Sequence, residues 1–255
     1  MKCLCFYNGK GGVGKSFLTQ MFASFLQYHE KCRVAVIELE RPVCRMVSYR
    51  MRELEDLNNP ASELSAYFRR NPRPDAFFDI FPWGEGVQGC SGSYLSELNK
   101  RCWEFAEGDG RFYDYVLVDF PANFINESEA YELMDSGLFD HVFVPINTHR
   151  PTWEEALRLY EFLKSRSVPC SFVWNKIGKA DISRKGFMDG LNGLLDSHGI
   201  DVMPGMVQHF VKAGRESSDR FFVSSTLCWP QRYVELNCPS MLKLFGAMKD
   251  CADGK

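Results

Sequence analysis

From Asn8 to Ser16 the chain reads NGKGGVGKS, and this stretch restricts the fold more than any other. Gly9, Gly14, Lys15 and Ser16 meet the spacing G-x-x-x-x-G-K-S/T. Glycines let a backbone bend round phosphate oxygens, a lysine offsets their charge, and a hydroxyl can ligate magnesium. Such a loop works where a strand ends and a helix begins, because the helix N-terminus adds its unpaired N–H groups and positive end. Both flanks are present. CLCFYN at 3 to 8 is apolar and strand-like, while Phe17, Leu18, Met21, Phe22, Phe25 and Leu26 recur at helical spacing after the loop and are expected in the core. The N–H groups of Gly11 to Lys15 then point at the phosphates, and Lys15 reaches the outer ones.

The remaining chain repeats this rhythm. RVAVIEL at 33 to 39, YDYVLVDF at 113 to 120, HVFVPIN at 141 to 147 and SFVWNKI at 171 to 177 are near-continuous apolar runs separated by amphipathic helical patterns. Runs of that kind belong to a mostly parallel sheet covered on both faces, so the expected fold is α/β, doubly wound, with residues 1 to 255 forming one domain. FFDIFPW at 77 to 83 reads as a further strand. The polar segment at about 42 to 76, with Arg45, Arg50, Arg52, Arg69, Arg70 and Arg73, breaks the rhythm and is expected to be an irregular insertion.

Two further positions carry chemistry. Asp119 closes a predicted parallel strand, and the carboxyl ends of such strands are where α/β sheets bind ligands. Asn175 and Lys176 close another. An asparagine can both donate to and accept from the N6/N7 edge of adenine, and Gly178 stands where the guanine-gripping aspartate of N/T-K-x-D would be.

With these residues in view, KGGVGKS resembles the deviant Walker A loop of the ParA/MinD family of partition and positioning ATPases, and the later landmarks follow in order along most of the chain. The resemblance implies a P-loop ATPase that dimerises with ATP. In that family the extra lysine, here Lys10, reaches across the dimer to phosphates held by the other subunit. It implies ATP or ADP on Gly11, Gly12, Val13, Gly14, Lys15, Ser16, Phe17 and Asn175, and Mg2+ on Ser16, Asp119 and Glu38. YDYVLVDFPAN resembles the Walker B strand and its switch-like loop with Pro121. VIELERP resembles the first switch, usually D-x-D, with Glu38 and Glu40 as the two acids. Catalysis then falls to Lys10, Lys15 and Glu40, with Glu40 positioning the attacking water. Each glutamate adds a methylene, and a misplacement of about 1 Å can cost on the order of a hundredfold in rate.

Composition narrows the partners. A net charge of -3 leaves no global positive excess to hold nucleic acid or anionic lipid, so DNA binding would need a local patch from Lys212, Arg215, Arg220 or the arginines of 45 to 73. No run approaches the roughly 20 apolar residues of a membrane span. The ten cysteines form no CxxC pair, and the expectation is reduced thiols in a cytoplasm. GVQGCSGS around Cys90 superficially resembles a cluster loop of the nitrogenase iron protein, but no second cysteine lies between Cys102 and Cys170. The expected partners are a second copy of the chain, a protein activator and non-specific DNA. FFVSSTLCWPQR resembles ParA-like proteins of conjugative elements. Two alternatives stay open: a nucleotide-binding switch with little hydrolysis, and a MinD-like membrane-positioning ATPase whose SMLKLFGAMKD tail would lie in lipid rather than pack on the sheet.

Overall fold

The computed structural model describes residues 1–39, 44–82, 94–107, 113–120, 127–209 and 225–255. Six strands form one sheet: β1 (Lys2–Phe6), β2 (Val34–Glu38), β3 (Asp79–Pro82), β4 (Tyr115–Asp119), β5 (His141–Ile146) and β6 (Cys170–Trp174). Their order is β3-β2-β4-β1-β5-β6, and every neighbouring pair is parallel. The helices are α1 (Lys15–Ser24), α2 (Arg45–Asn58), α3 (Glu63–Arg70), α4 (Tyr94–Glu107), α5 (Glu127–Asp135), α6 (Arg150–Ser165), α7 (Lys179–Ser183), α8 (Phe187–Ser197), α9 (Gln231–Asn237) and α10 (Pro239–Asp253). A π-helical turn, Phe25–His29, continues α1.

Side chains alternate across each strand, so an apolar run on every position must be covered twice. Cys3, Cys5 and Tyr7 enter one core with Leu98 of α4, Leu133 of α5, Leu159 of α6 and Leu195 of α8. Leu4 and Phe6 enter the other with Leu18 and Phe22 of α1, Val234 of α9 and Phe245 of α10. The fold is therefore doubly wound α/β, as the strand runs imply. Phe22, Phe25, Trp229 and Phe245 stack against one another in the second core, with centroid separations of 5.5 to 6.2 Å.

The chain leaves β1 through α1, passes over β4 and enters β2. It enters β5 on the other side of β1. The carboxyl end of β1 is thus the point where the winding reverses, the place where open α/β sheets bind ligands. Glu38 lies in register with Asp119 across the β2–β4 pair at the same end of the sheet.

The segment expected to be irregular is mostly helical. Residues 45–58 and 63–70 form α2 and α3, which make the crossover from β2 to β3. The helical period is hidden because two inward positions are charged: Met46, Arg50, Glu53 and Leu57 share one face, and Arg50 and Glu53 reach polar partners there. Ser62 caps α3 by accepting from Ser65 N at 3.0 Å. The C-terminal pattern resolves in favour of packing, since Met241, Leu244, Phe245 and Met248 are buried on the sheet. Among the described residues no helix is long and apolar enough to cross a membrane.

Candidate functional site

The loop is held from below before any ligand is considered. Asn8 is fully buried at the end of β1; its Nδ2 donates to Pro145 O at 2.9 Å and its Oδ1 accepts from Lys10 N at 2.9 Å. Gly12 and Gly14 have φ of 76° and 96°, which only glycine adopts without strain. At Gly14 a Cβ would also stand 2.3 Å from Asn175 Nδ2. The spacing of the glycines therefore follows from backbone conformation and close approach together.

Lys15 opens α1 and is buried; its Nζ donates to Asn8 O at 2.9 Å and Lys10 O at 3.3 Å. Burial pulls its pKa down to about 8, with Asp119 acting in the opposite sense. The ammonium is charged at neutral pH and poised in a dry, carbonyl-lined loop, the electrostatic setting a polyphosphate needs. Ser16 follows, half-buried in the first turn. Thr19 Oγ1 lies 3.1 Å from Lys15 O and 3.4 Å from Asp119 Oδ1, which ties α1 to the end of β4. Asp119 is 1% exposed, so its carboxylate faces the loop rather than water.

On the other flank, Asn175 Nδ2 donates to Val13 O at 2.7 Å, while its Oδ1 is buried with no hydrogen-bond partner among the described residues. A buried acceptor without a protein partner has the capacity to accept one donor. Lys176, with φ 58°, turns back so that its Nζ donates to Gly12 O at 2.6 Å. Sequence reasoning missed this lysine: the Asn-Lys pair was visible, but nothing in the sequence marks a positive φ at a lysine. Glu155 of α6 was missed likewise; its Oε1 would lie 2.4 Å from a Cβ at Gly9.

The other expected residues divide. Gly11, Gly12 and Lys10 sit on the exposed crest, Val13 is buried beneath, and Phe17 packs against the second core. Lys10 makes no ion pair with a described residue. Glu38 is 0% exposed, and its carboxylate accepts from Met46 N at 2.8 Å and Val47 N at 3.2 Å, at the start of α2. Arg50, counted among the arginines of a DNA-facing patch, is instead bound to Thr226 and Phe78. Glu40, Cys90, Pro121, Lys212, Arg215 and Arg220 lie outside the described residues.

A parallel doubly wound sheet with this loop after its first strand defines a P-loop nucleotide-binding fold. Among solved structures, the chain is similar to the MinD cell division protein of Aquifex aeolicus, with a TM-score of 0.60 and 19% identity over 98% of this chain and 96% of that one. It is also similar to a ParA family ATPase from Chlorobium tepidum (TM-score 0.54, 17% identity, covering 98% and 97%). A third similar structure is a putative plasmid partition protein from Borrelia burgdorferi bound to AMPPNP (TM-score 0.54, 15% identity, covering 100% and 99%). The chain thus has the fold of the ParA/MinD ATPases. No protein-family model matches the sequence, and no curated protein matches it.

Proposed function

We propose that the chain is an ATP-dependent dimerising switch of the ParA type, one domain long, which hydrolyses ATP slowly and acts in partition or positioning of a plasmid, mobile element or assembly. The observation that carries this reading is the loop itself: Lys15 is buried and charged beside Asp119, while Lys10 stands on the exposed crest without an ion pair to a described residue. The two lysines belong to one loop, with Lys15 Nζ 3.3 Å from Lys10 O, and a triphosphate is a strongly negative group that both could meet. Lys15 and the amides of Gly11 to Ser16 hold the phosphates of the bound subunit. Lys10, free on the crest, offers its charge to the phosphates of a facing copy.

Asn175 gives base choice. Its unpaired Oδ1 accepts from the N6 amine of adenine, whereas guanine presents a carbonyl oxygen at the equivalent position. The residues that would hold magnesium are Ser16 and Asp119, and the ion would offset charge on the outer phosphates. The chemical step is attack of water on the γ-phosphate. Lys15, Lys10 and the loop amides stabilise the charge that develops, and Glu40 orients the water.

Partners follow the same reading: a second copy with ATP, a protein activator, and DNA held through a local patch. Arg52, Arg69, Arg70 and Arg73 are exposed on α2, on α3 and just after it, and support such a patch. The membrane alternative loses support because the apolar side of α10 is packed on the sheet. The low-turnover alternative draws on one observation: Glu38 spends both carboxylate oxygens on amides of α2. Phosphate release measured with ATP and magnesium, with and without duplex DNA, decides between them. Turnover that needs Lys10 and Lys15 supports the ATPase; ATP binding with no release under any condition supports the silent switch.

A further inference from the structure

Two helices that begin at the nucleotide loop and its neighbouring strand end converge on one tripeptide, Ser225 to Leu227. The loop feeds α1 directly, and Ser24 Oγ at the end of that helix donates to Ser225 O at 2.8 Å. In the π-helical continuation, Tyr28 OH donates to Thr226 O at 2.5 Å. π-Helical turns inside longer helices are frequent at functional positions, because they re-aim side chains by one residue.

The second helix, α2, starts where Glu38 grips its first free amides, one strand away from Asp119. One turn further on, Arg50 Nε donates to Thr226 Oγ1 at 2.6 Å, and Nη2 donates to Thr226 O at 2.9 Å and Phe78 O at 3.2 Å. The guanidinium lies over the Phe78 ring, 4.6 Å from its centroid. One turn later Glu53 Oε2 accepts from Thr226 N at 2.9 Å and from the Thr226 hydroxyl. Thr226 is 0% exposed, and its N–H, carbonyl and hydroxyl are all bound by side chains of the π-helical turn and of α2, while α1 holds the neighbouring Ser225 carbonyl.

Within the segment Leu227 N donates to Ser225 Oγ at 3.1 Å, and its other hydrogen bonds described above go to side chains of the helices. Separating the segment from α2 would cost Glu53 its bonds to Thr226 and leave Arg50 with Phe78 in place of Thr226, which is costlier for two buried charges than moving all three together. α2 is therefore a rod with a carboxylate at its nucleotide end and a two-residue grip at its middle. We infer that Ser225 to Leu227 is the point where nucleotide occupancy is read out. A shift at the carboxyl ends of β2 and β4 passes through Glu38 into α2, a shift of the loop passes through α1, and both arrive at Thr226. Glu38 is then a positioning residue for α2. The inference rests on the nucleotide reading of the loop and adds its route of regulation.

The test is hydrogen–deuterium exchange of the full chain, with and without magnesium and AMPPNP, alongside titration of nucleotide affinity. In the parent, nucleotide changes exchange of the amides from 225 to 229 by at least about threefold. Arg50→Met and Thr226→Val keep nucleotide affinity within about threefold but lose that response. Thr226→Val carries the test alone if Arg50→Met does not fold by circular dichroism. Glu38→Gln loses the response as well, and its magnesium dependence of binding stays that of the parent. Bound nucleotide with no change at 225 to 229, or a full response in Thr226→Val, overturns the coupling alone. A shifted magnesium dependence in Glu38→Gln with the response intact puts Glu38 on the metal and removes its positioning role. Failure to bind any nucleotide overturns the ATPase reading and the coupling together.

Discussion

Asn175→Ala separates the two jobs of one side chain. In the parent, Nδ2 is spent on Val13 O at 2.7 Å, and Oδ1 is buried without a partner among the described residues. Adenine gains a hydrogen bond to that oxygen, worth about 1 kcal/mol net. Guanine sets its own carbonyl oxygen against it and leaves a buried acceptor unpaired, which costs about 1 to 3 kcal/mol. The sum exceeds about 1.4 kcal/mol, so ATP should bind at least tenfold more tightly than GTP. Alanine removes the discriminating oxygen, and the two nucleotides should then bind within about threefold of each other. It also strands Val13 O, so the loop loses about 1 kcal/mol of support and both affinities fall. Isothermal titration of ATP and GTP into parent and variant reads all four numbers. Equal affinities in the parent, or an ATP preference that survives in Asn175→Ala, would refute the assignment.

Three other outcomes follow from the packing and the charges. His141 is buried between Ser171 and Cys251, with Asp201 beyond, and burial pulls its pKa to about 4. The unfolded chain therefore binds the extra proton between pH 6.5 and 4, so stability is full above pH 6.5 and falls by up to about 3 kcal/mol as pH drops to 4; urea melts of the parent and of His141→Gln should show this slope and its loss. Phe245→Ala should cost about 3 to 5 kcal/mol in the same melts, because its ring packs between Phe22, Phe25 and Trp229; a cost below about 1 kcal/mol would mean that α10 is not docked on the sheet. Duplex DNA should be retained by ATP-loaded protein at low salt and released as salt rises, with Arg70→Gln plus Arg73→Gln reducing the salt slope by about 2; a slope unchanged in that variant moves the DNA surface elsewhere.

The sheet and its loop were legible because each followed from a local rule. Runs such as YVLV and VFVPI are apolar at every position, as strands of a doubly covered parallel sheet are. The glycine spacing answers two positive φ values and the approach of Asn175 to Gly14. What was hidden depended on contacts distant in sequence. α2 looked irregular because Arg50 and Glu53 occupy inward positions whose partners, around Thr226, stand more than 170 residues away. The grip of Lys176 on Gly12 needs a left-handed lysine that no residue pattern announces. The sequence marks Glu38 as an acid at a strand end, and its contacts with the amides of Met46 and Val47, eight and nine residues on, are seen only in the fold.

The central claim is that Lys10 acts on the phosphates of a facing copy. Light scattering of parent and Lys10→Ala, each without nucleotide, with ADP and with AMPPNP, tests it most directly. The account predicts a parent that doubles in mass only with AMPPNP, and a Lys10→Ala variant that binds the analogue with nearly parental affinity yet stays monomeric and does not turn over ATP. Lys15→Ala should fail at binding itself. A Lys10→Ala protein that dimerises with AMPPNP and hydrolyses ATP at the parent rate would contradict the account.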